Sequence, residues 1–175
     1  KEVAQIEAEK LYKALQDAKV IAPPTDCLSP ISQNILETGL RKEINADFYT
    51  TTTRPPSVYR GMPFQIEAAI AYGGDLEKES TVRLIRFANR VPLLYQQGAC
   101  SITEAVSSIN WRPYGLSQSQ DNIPIGPAVI VVSISSVWVP FTSEAKEAVA
   151  HYDEIIKEIK LALQECGRKL SIYIN

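Results

Sequence analysis

The stretch AVIVVSISSVWV, residues 128–139, constrains the fold of this chain more than any other. Its nearly unbroken β-branched and apolar residues suit a strand covered on both faces, not one that alternates between core and water. Pro140 stops it, because proline has no N–H to give to a ladder. In the following FTSEAKEAVAHYDEIIKEIKLALQEC, Ala145, Ala148, Val149, Tyr152, Ile155, Ile156, Ile159, Leu163 and Cys166 recur every three or four residues. That spacing predicts a long amphipathic helix with a single apolar stripe. Thr142 or Ser143 is its expected N-cap, and Glu144 suits the positive helix end.

Lys146 does not suit that end. A cation in the first turn opposes the helix dipole, and it gains only if an anion comes to sit beside the free N–H groups. The bland alternative is a solvated surface lysine whose flexible stem keeps its charge away from the axis.

At 175 residues the chain has room for one good core, or one domain with an appendage. A formal charge of −2 gives no global attraction to nucleic acid, so any DNA contact must be a local patch. Cys27, Cys100 and Cys166 are odd in number and too widely spaced for a zinc knuckle, which fits a reducing interior. No apolar run reaches the ~20 residues needed to span a bilayer, and no signal peptide opens the chain. A cytoplasmic location is expected. The chain starts within a helical pattern and without Met, which reads as part of something larger.

Residues 2–19 read as a helix with Val3, Ile6, Leu11, Leu15 and Ala18 on one face, ended by Pro23-Pro24. Ser29-Pro30 then supplies an N-cap with proline at the first helical position, and Gly39 a left-handed stop. A short helix over 31–38 is expected between them, burying Ile31, Ile35 and Leu36. Residues 45–63, with prolines and the threonines at 50–53, read as a linker. Phe64, Ile66, Ala68, Ile70 and Tyr72 alternate with Gln65 and Glu67 on the opposite side, which predicts a half-buried strand. Gly73-Gly74-Asp75 is a turn signal, so VRLIRFANRVPLLY, residues 82–95, is expected to return beside that strand as a hairpin, kinked or ended near Pro92. Ile102, Ala105, Val106 and Ile109 predict a short helix. Gly167 weakens the last helix by ~1 kcal/mol relative to alanine, and Leu170–Ile174 fit either helix or strand, helix being preferred. Strands near 64–72, 82–91 and 127–139 with helices between and after them make an α+β fold, one sheet covered by helices on one face.

Enzyme chemistry is hard to find. His151, the single histidine, has no carboxylate or cysteine set around it that would hold a metal or form a nucleophile pair. Gly73-Gly74 lacks the lysine and hydroxyl of a P-loop, and no acidic cluster suits magnesium. No metal site is predicted. The better constellation is Trp111-Arg112-Pro113-Tyr114, where a planar guanidinium that fits phosphate is flanked by two aromatics. Its residues suit either an anchored loop with core-packing aromatics or a phosphate contact.

SSVWVPFTSEAKEAVA, DEIIKEIKLALQECGRKL and RFANRVPLLY together resemble the transducer domain of the B subunit of DNA topoisomerase VI, a type IIB enzyme related to the GHKL ATPases. DCLSPISQNILETGL resembles the end of the helix–two-turn–helix segment that precedes it. The resemblance implies two parts, 1–46 for that segment and 47–175 for the transducer. It also implies a sheet domain like the second domain of a small-subunit ribosomal protein, with a left-handed crossover that general handedness rules do not predict. Lys146 matches the family's lysine that reaches the terminal phosphate of ATP in the neighbouring domain, with Thr142 and Ser143 on its loop. WRPY resembles the family's W-K-x-Y motif, implicated in DNA contact, with arginine in place of lysine. Trp111, Arg112 and Tyr114 are then the expected DNA-contacting residues, acting on the phosphate backbone without sequence specificity.

The implied role is relay. Binding and hydrolysis of ATP, held with Mg2+ mainly by a domain outside this chain, would pass through it to the DNA-cleaving A subunit during strand passage. The implied partners are that A subunit, a second B subunit, and double-stranded DNA, near the nucleoid and away from any membrane. The chain alone is expected to be catalytically silent. Two other readings stay open: a nucleic-acid-binding module using Arg112 with Arg41, Lys42, Arg54 and Arg60, and a structural adaptor for a protein partner.

Overall fold

A computed structural model describes residues 5–18, 23–120 and 122–175. In chain order the elements are α1 (Gln5–Asp17), α2 (Gln33–Glu43), β1 (Phe48–Thr53), β2 (Ser57–Tyr59), β3 (Met62–Tyr72), β4 (Arg83–Ala88), β5 (Val91–Pro92), α3 (Ser101–Ser107), β6 (Ala128–Ser136) and α4 (Asp153–Ile174). The strands form one mixed sheet in the order β1-β3-β6-β4-β5, with β2 pairing the first residues of β3.

β6 is the centre of the sheet. It runs antiparallel to β3, from Phe64↔Ser136 to Tyr72↔Ala128, and parallel to β4, from Arg83↔Val129 to Ala88↔Ile134. All nine of its residues are buried, as its continuous apolar composition requires. Alternate side chains divide two cores. Ile130, Val132 and Ile134 join Phe64, Ile66 and Ile70 of β3 beneath α3 and α4, while Val129 and Val131 join Ala69 and Ala71 beneath α2. The α+β architecture, the mixed sheet and the long C-terminal helix are those expected. Helices also lie on the second face, where α2 caps the sheet through Leu36 and Leu40. β3 is therefore covered on both sides, not half-buried.

Several local expectations differ. The supposed linker contains β1, β2 and the start of β3. Thr50, Thr51 and Thr52 are buried, and β-branched threonines suit that pleated position. β4 does not return beside β3. Residues 80–82 instead align with 124–126 through the Val82 N–H to the Pro124 carbonyl (2.9 Å) and the Thr81↔Ile125 bridge, which delivers β4 to β6. Gly73 and Gly74 do turn the chain, both at positive φ, where a Cβ would strike the Asp47 carboxylate or the Asn45 carbonyl. β4 ends at Ala88, and Asn89-Arg90 reverse the chain into β5. β6 ends at Ser136, so Val137 and Trp138 are outside the strand and half exposed.

α1 is helical as expected, yet Ile6, Leu11, Tyr12 and Leu15 are all exposed; Val3 and Lys19 lie outside the described residues. α2 begins two residues later than expected and runs through Gly39 to Glu43. Leu36 and Leu40 face the sheet, while Ile35 is exposed. Ser29-Pro30 does not cap it. The carbonyls of both residues instead accept from the Arg90 guanidinium, at 3.2 and 2.7 Å. α4 continues to Ile174, and Cys166 is buried under it, its thiol pushed up to about 11 by burial and donating to the Ala68 carbonyl at 3.7 Å.

Glu67, wholly buried on β3, fixes the start of α2. Its carboxylate accepts the N–H groups of Ile31 (2.6 Å) and Ser32 (2.8 Å), and the Thr53 hydroxyl donates to it at 3.3 Å. A carboxylate at free N–H groups before a helix is the favourable polarity. Glu67→Ala is expected to lower stability by about 3 kcal/mol, since it strands buried donors that a charged acceptor had satisfied. Equilibrium urea unfolding checks this. An unchanged midpoint would mean that Leu36 and Leu40 alone hold α2.

Candidate functional site: the Lys146 loop and the Trp111–Tyr114 turn

Residues 140–152 are a tight loop, not the first turns of the last helix. The Thr142 N–H donates to the Ala148 carbonyl (2.9 Å), the Ala150 N–H donates to the Pro140 carbonyl (2.7 Å), and Phe141 bridges Val149. Ala148 and Val149 are fully buried, and the Ser101 N–H at the start of α3 donates to the Val149 carbonyl (2.9 Å). The helix begins at Asp153 behind Tyr152, with Asp153 and Glu154 in its first turn complementing the dipole. Neither Thr142 nor Ser143 is its N-cap. Both are exposed on the loop's outgoing side, and the Ser143 carbonyl accepts the Lys146 N–H (3.2 Å).

Lys146 is the turning residue of the loop tip. Its φ of 57° lies in the left-handed region, which costs a side-chain-bearing residue ~1–2 kcal/mol. The dipole argument for Lys146 therefore falls away, because the residue is seven positions short of the helix. What takes its place is an exposed ammonium held at the tip of a pinned loop. Among the described residues no ion pair engages it.

The Trp111–Tyr114 turn lies at the other end of α3. Trp111 is fully buried, its indole N–H donating to the Val106 carbonyl at 2.7 Å, so it seats the turn and faces no solvent. Tyr114 packs edge-on against it, 5.9 Å between centroids. Its ring also fills the place where a Cβ on Gly167 of α4 would lie, at 2.7–2.9 Å. Arg112 is exposed on a single 3-10 turn over 112–114, donating to the Gln118 carbonyl at 3.1 Å. Gln118 in turn donates to the Ser107 carbonyl (2.9 Å), which closes the following polar loop onto α3. Asp121 of that loop lies outside the described residues.

The fold does not gather the other cations around Arg112. Arg41 pairs with Glu37 and lies over the Tyr49 ring on the α2 side. Arg54 pairs with Glu158, and Arg60 lies over Tyr59 and Tyr152, near the start of α4. Gly167, against which the Arg112 turn packs, is further along that helix, by about 13 Å from Glu158 and about 20 Å from Tyr152. Among the described residues no three His, Cys, Asp or Glu side chains converge on a metal position, and no helix is long and apolar enough to cross a membrane.

Sequence reasoning missed the tie between His151 and α3. The His151 Nδ1 lies 2.7 Å from the Glu104 carboxylate and Nε2 lies 3.4 Å from Asp153. Glu104 is 47 residues away, and only the fold brings it close. Hydrogen bonding to Glu104, then its charge, raises the imidazole pKa above the ordinary 6.5, with Asp153 adding to it. A raised folded-state pKa favours the charged form, so the tie is fully present below the unfolded value and is lost as pH rises through the folded one. An NMR titration of His151 is expected to give a midpoint above 6.5, with the amide protection factors at Ser101 and Val149, corrected for the intrinsic rise of exchange with pH, falling across it. In Glu104→Gln both effects should shrink.

Gly167 yields a second prediction. Alanine there gains up to ~1 kcal/mol of helix propensity, but its Cβ overlaps the Tyr114 ring and overpacking costs ~1–3 kcal/mol. Gly167→Ala is expected to lower the thermal midpoint. A rise would show that Tyr114 gives way freely.

The family model described as the topoisomerase VI B subunit, transducer, matches residues 23–175. The chain is 52% identical to the B subunit of type 2 DNA topoisomerase 6 from Methanococcoides burtonii over 97% of its own length and 27% of that protein's. It is 51% identical to the protein of the same name from Methanosarcina acetivorans, over the same shares. It thus spans about a quarter of the length of these relatives. Among solved structures, the 43K ATPase domain of Thermus thermophilus gyrase B is similar at 12% identity and a TM-score of 0.47, over 78% of this chain and 36% of that one. The family match covers nearly the whole chain and takes in both the Lys146 loop and the Trp111–Tyr114 turn, and the chain belongs to the topoisomerase VI B subunit transducer family.

Proposed function

We propose that this chain is the relay segment of an ATP-driven type IIB topoisomerase, carrying the state of a nucleotide in an adjacent domain to a DNA-cleaving A subunit. The observation that carries the reading is Lys146: an exposed ammonium, unpaired among the described residues, on a left-handed residue at the tip of a loop pinned at both ends. Such a tip suits a cation that enters another domain's site. Lysine is a compact point charge, suited to a terminal phosphate that is approached from one side. ATP with its Mg2+ would supply the phosphoryl group and most of the charge in that site. This chain's contribution would be to carry Nζ on a backbone fixed at the loop tip, with Thr142 and Ser143 shaping the approach.

Arg112, exposed and donating one bond to the Gln118 carbonyl, would meet a duplex phosphate, with the exposed part of Tyr114 beside it and Trp111 serving as the buried seat. α4 would present its far end to the A subunit. A second B subunit would complete the ATP-dependent gate, and the assembly would work on DNA at the nucleoid in the cytoplasm. The segment alone is expected to turn nothing over.

ATP hydrolysis by the full-length protein, bound to its A subunit and carrying Lys146→Ala, tests the reading. Loss of a preorganised cation aimed at developing phosphate charge is expected to lower kcat by about 100-fold, with the fold intact by circular dichroism. Unchanged turnover would return Lys146 to the solvated surface.

A further inference from the structure

Glu147 sits directly beside Lys146, and Glu144 is two residues before it. A free carboxylate next to an exposed ammonium would compete with any phosphate for it. Glu147 is not free. Its carboxylate accepts from the Gln96 side-chain amide at 2.7 Å, across 51 residues of sequence.

Gln96 is itself held in place. Its backbone is left-handed at φ 49°, at the end of a bend whose carbonyls are gripped from inside the fold. The grip is Arg86 on β4, only 2% exposed, whose Nη2 donates to the Leu93 carbonyl (3.0 Å) and the Tyr95 carbonyl (2.9 Å). Among the described residues no carboxylate pairs with Arg86, and its Nη1 is buried without a partner. A buried guanidinium committed to two backbone carbonyls is an unusual outlay for a surface bend. It makes sense if the bend must present one side chain in one place.

We propose that Gln96 is a positioning residue for Lys146: held on the Arg86 bend, it engages one oxygen of the Glu147 carboxylate and so draws the competitor adjacent to the lysine ammonium away from it, in favour of an anionic phosphate, with Glu144 the weaker competitor that remains. This rests on the reading of Lys146 as a phosphate contact. Gln96 touches neither nucleotide nor reacting atoms and acts only through its neighbour.

The test measures kcat/KM for ATP in the full-length enzyme, bound to its A subunit, with Gln96→Ala, Glu147→Ala and the double variant, and with Lys146→Ala as reference. Gln96 is exposed, so its replacement leaves the fold intact. Gln96→Ala is expected to lower kcat/KM about threefold, the factor an exposed ion pair of ordinary strength supplies. The deficit should narrow from roughly 50 to 200 mM salt relative to wild type at the same salt, because an exposed ion pair is screened. Removing Glu147 as well should restore activity, which a bond that merely stiffened the loop would not do. No loss in Gln96→Ala, or a loss that persists in the double variant, overturns the inference. If Lys146→Ala is itself without effect, the phosphate reading fails and this one with it. If Lys146→Ala is severe while Gln96→Ala is silent, only the positioning role fails.

Discussion

β6 is covered on both faces along its whole length, and the rest of the structure is arranged to meet that demand. A strand of Ala, Val, Ile and Ser cannot face water on either side, so it must be central, paired on both edges and roofed by helices above and below. β3 and β4 supply the edges, α3 with α4 one roof, and α2 the other. Register follows from the same condition. A slip of one residue would send the Ile130, Val132 and Ile134 set to the α2 side and Val129 and Val131 to the α3 and α4 side, mismatching both cores at once. Once that register is set, the position of Pro140 is set too. The loop that presents Lys146 is therefore located by the most deeply buried strand of the fold.

That loop shows tertiary contacts overriding local pattern. Residues 145–152 carry apolar side chains at helical spacing, and on sequence they extend the stripe of α4. Ala148 and Val149 are buried, as a stripe would require, but they are buried by the bridge to Phe141 and by the first turn of α3. Their burial satisfies the hydrophobic pattern without a helix, and a helix of marginal propensity yields to it. The single residue that then has to turn the tip is Lys146, in a conformation glycine would adopt more cheaply. Ser32, Arg60, Asn89, Arg90 and Gln96 also have positive φ, so it is the place of Lys146 at a pinned tip, and not the strain alone, that sets it apart.

What was legible in the sequence divides along the same line. The buried run of β6 as far as Ser136, the span of β3, the short α3 and the second half of α4 are each written in neighbouring residues and stand where they were read. The alternation of β3 promised one covered face, however, and the fold covers both. The pairing of β4 was not legible, because the Gly73-Gly74 turn announces a reversal and says nothing of which strand takes the vacant edge. β1 was hidden because its threonines are covered on both sides and so show no alternation. Lys146 and the Trp111–Tyr114 turn stood out in the residues themselves, and the family resemblance added the roles expected of them. The contacts that set their surroundings, Glu104 to His151, Gln96 to Glu147 and Tyr114 to Gly167, join residues about 50 apart in sequence and leave no local trace.

α3 connects the two parts of the candidate site. Its first residue donates to the Lys146 loop, its Val106 and Ser107 carbonyls hold the Trp111–Tyr114 turn, and that turn is seated on Gly167 of α4. A displacement applied at the loop would, in the proposed reading, reach the turn as a movement of this seven-residue strut. At its far end there is no slack, since the Tyr114 ring already occupies the space that any Cβ on Gly167 would need. A contact this close is a poor cushion and a good abutment: α4 must either move with the ring or be freed from it. In the proposed reading, the phosphate signal then has a path to the long helix that does not disturb β6.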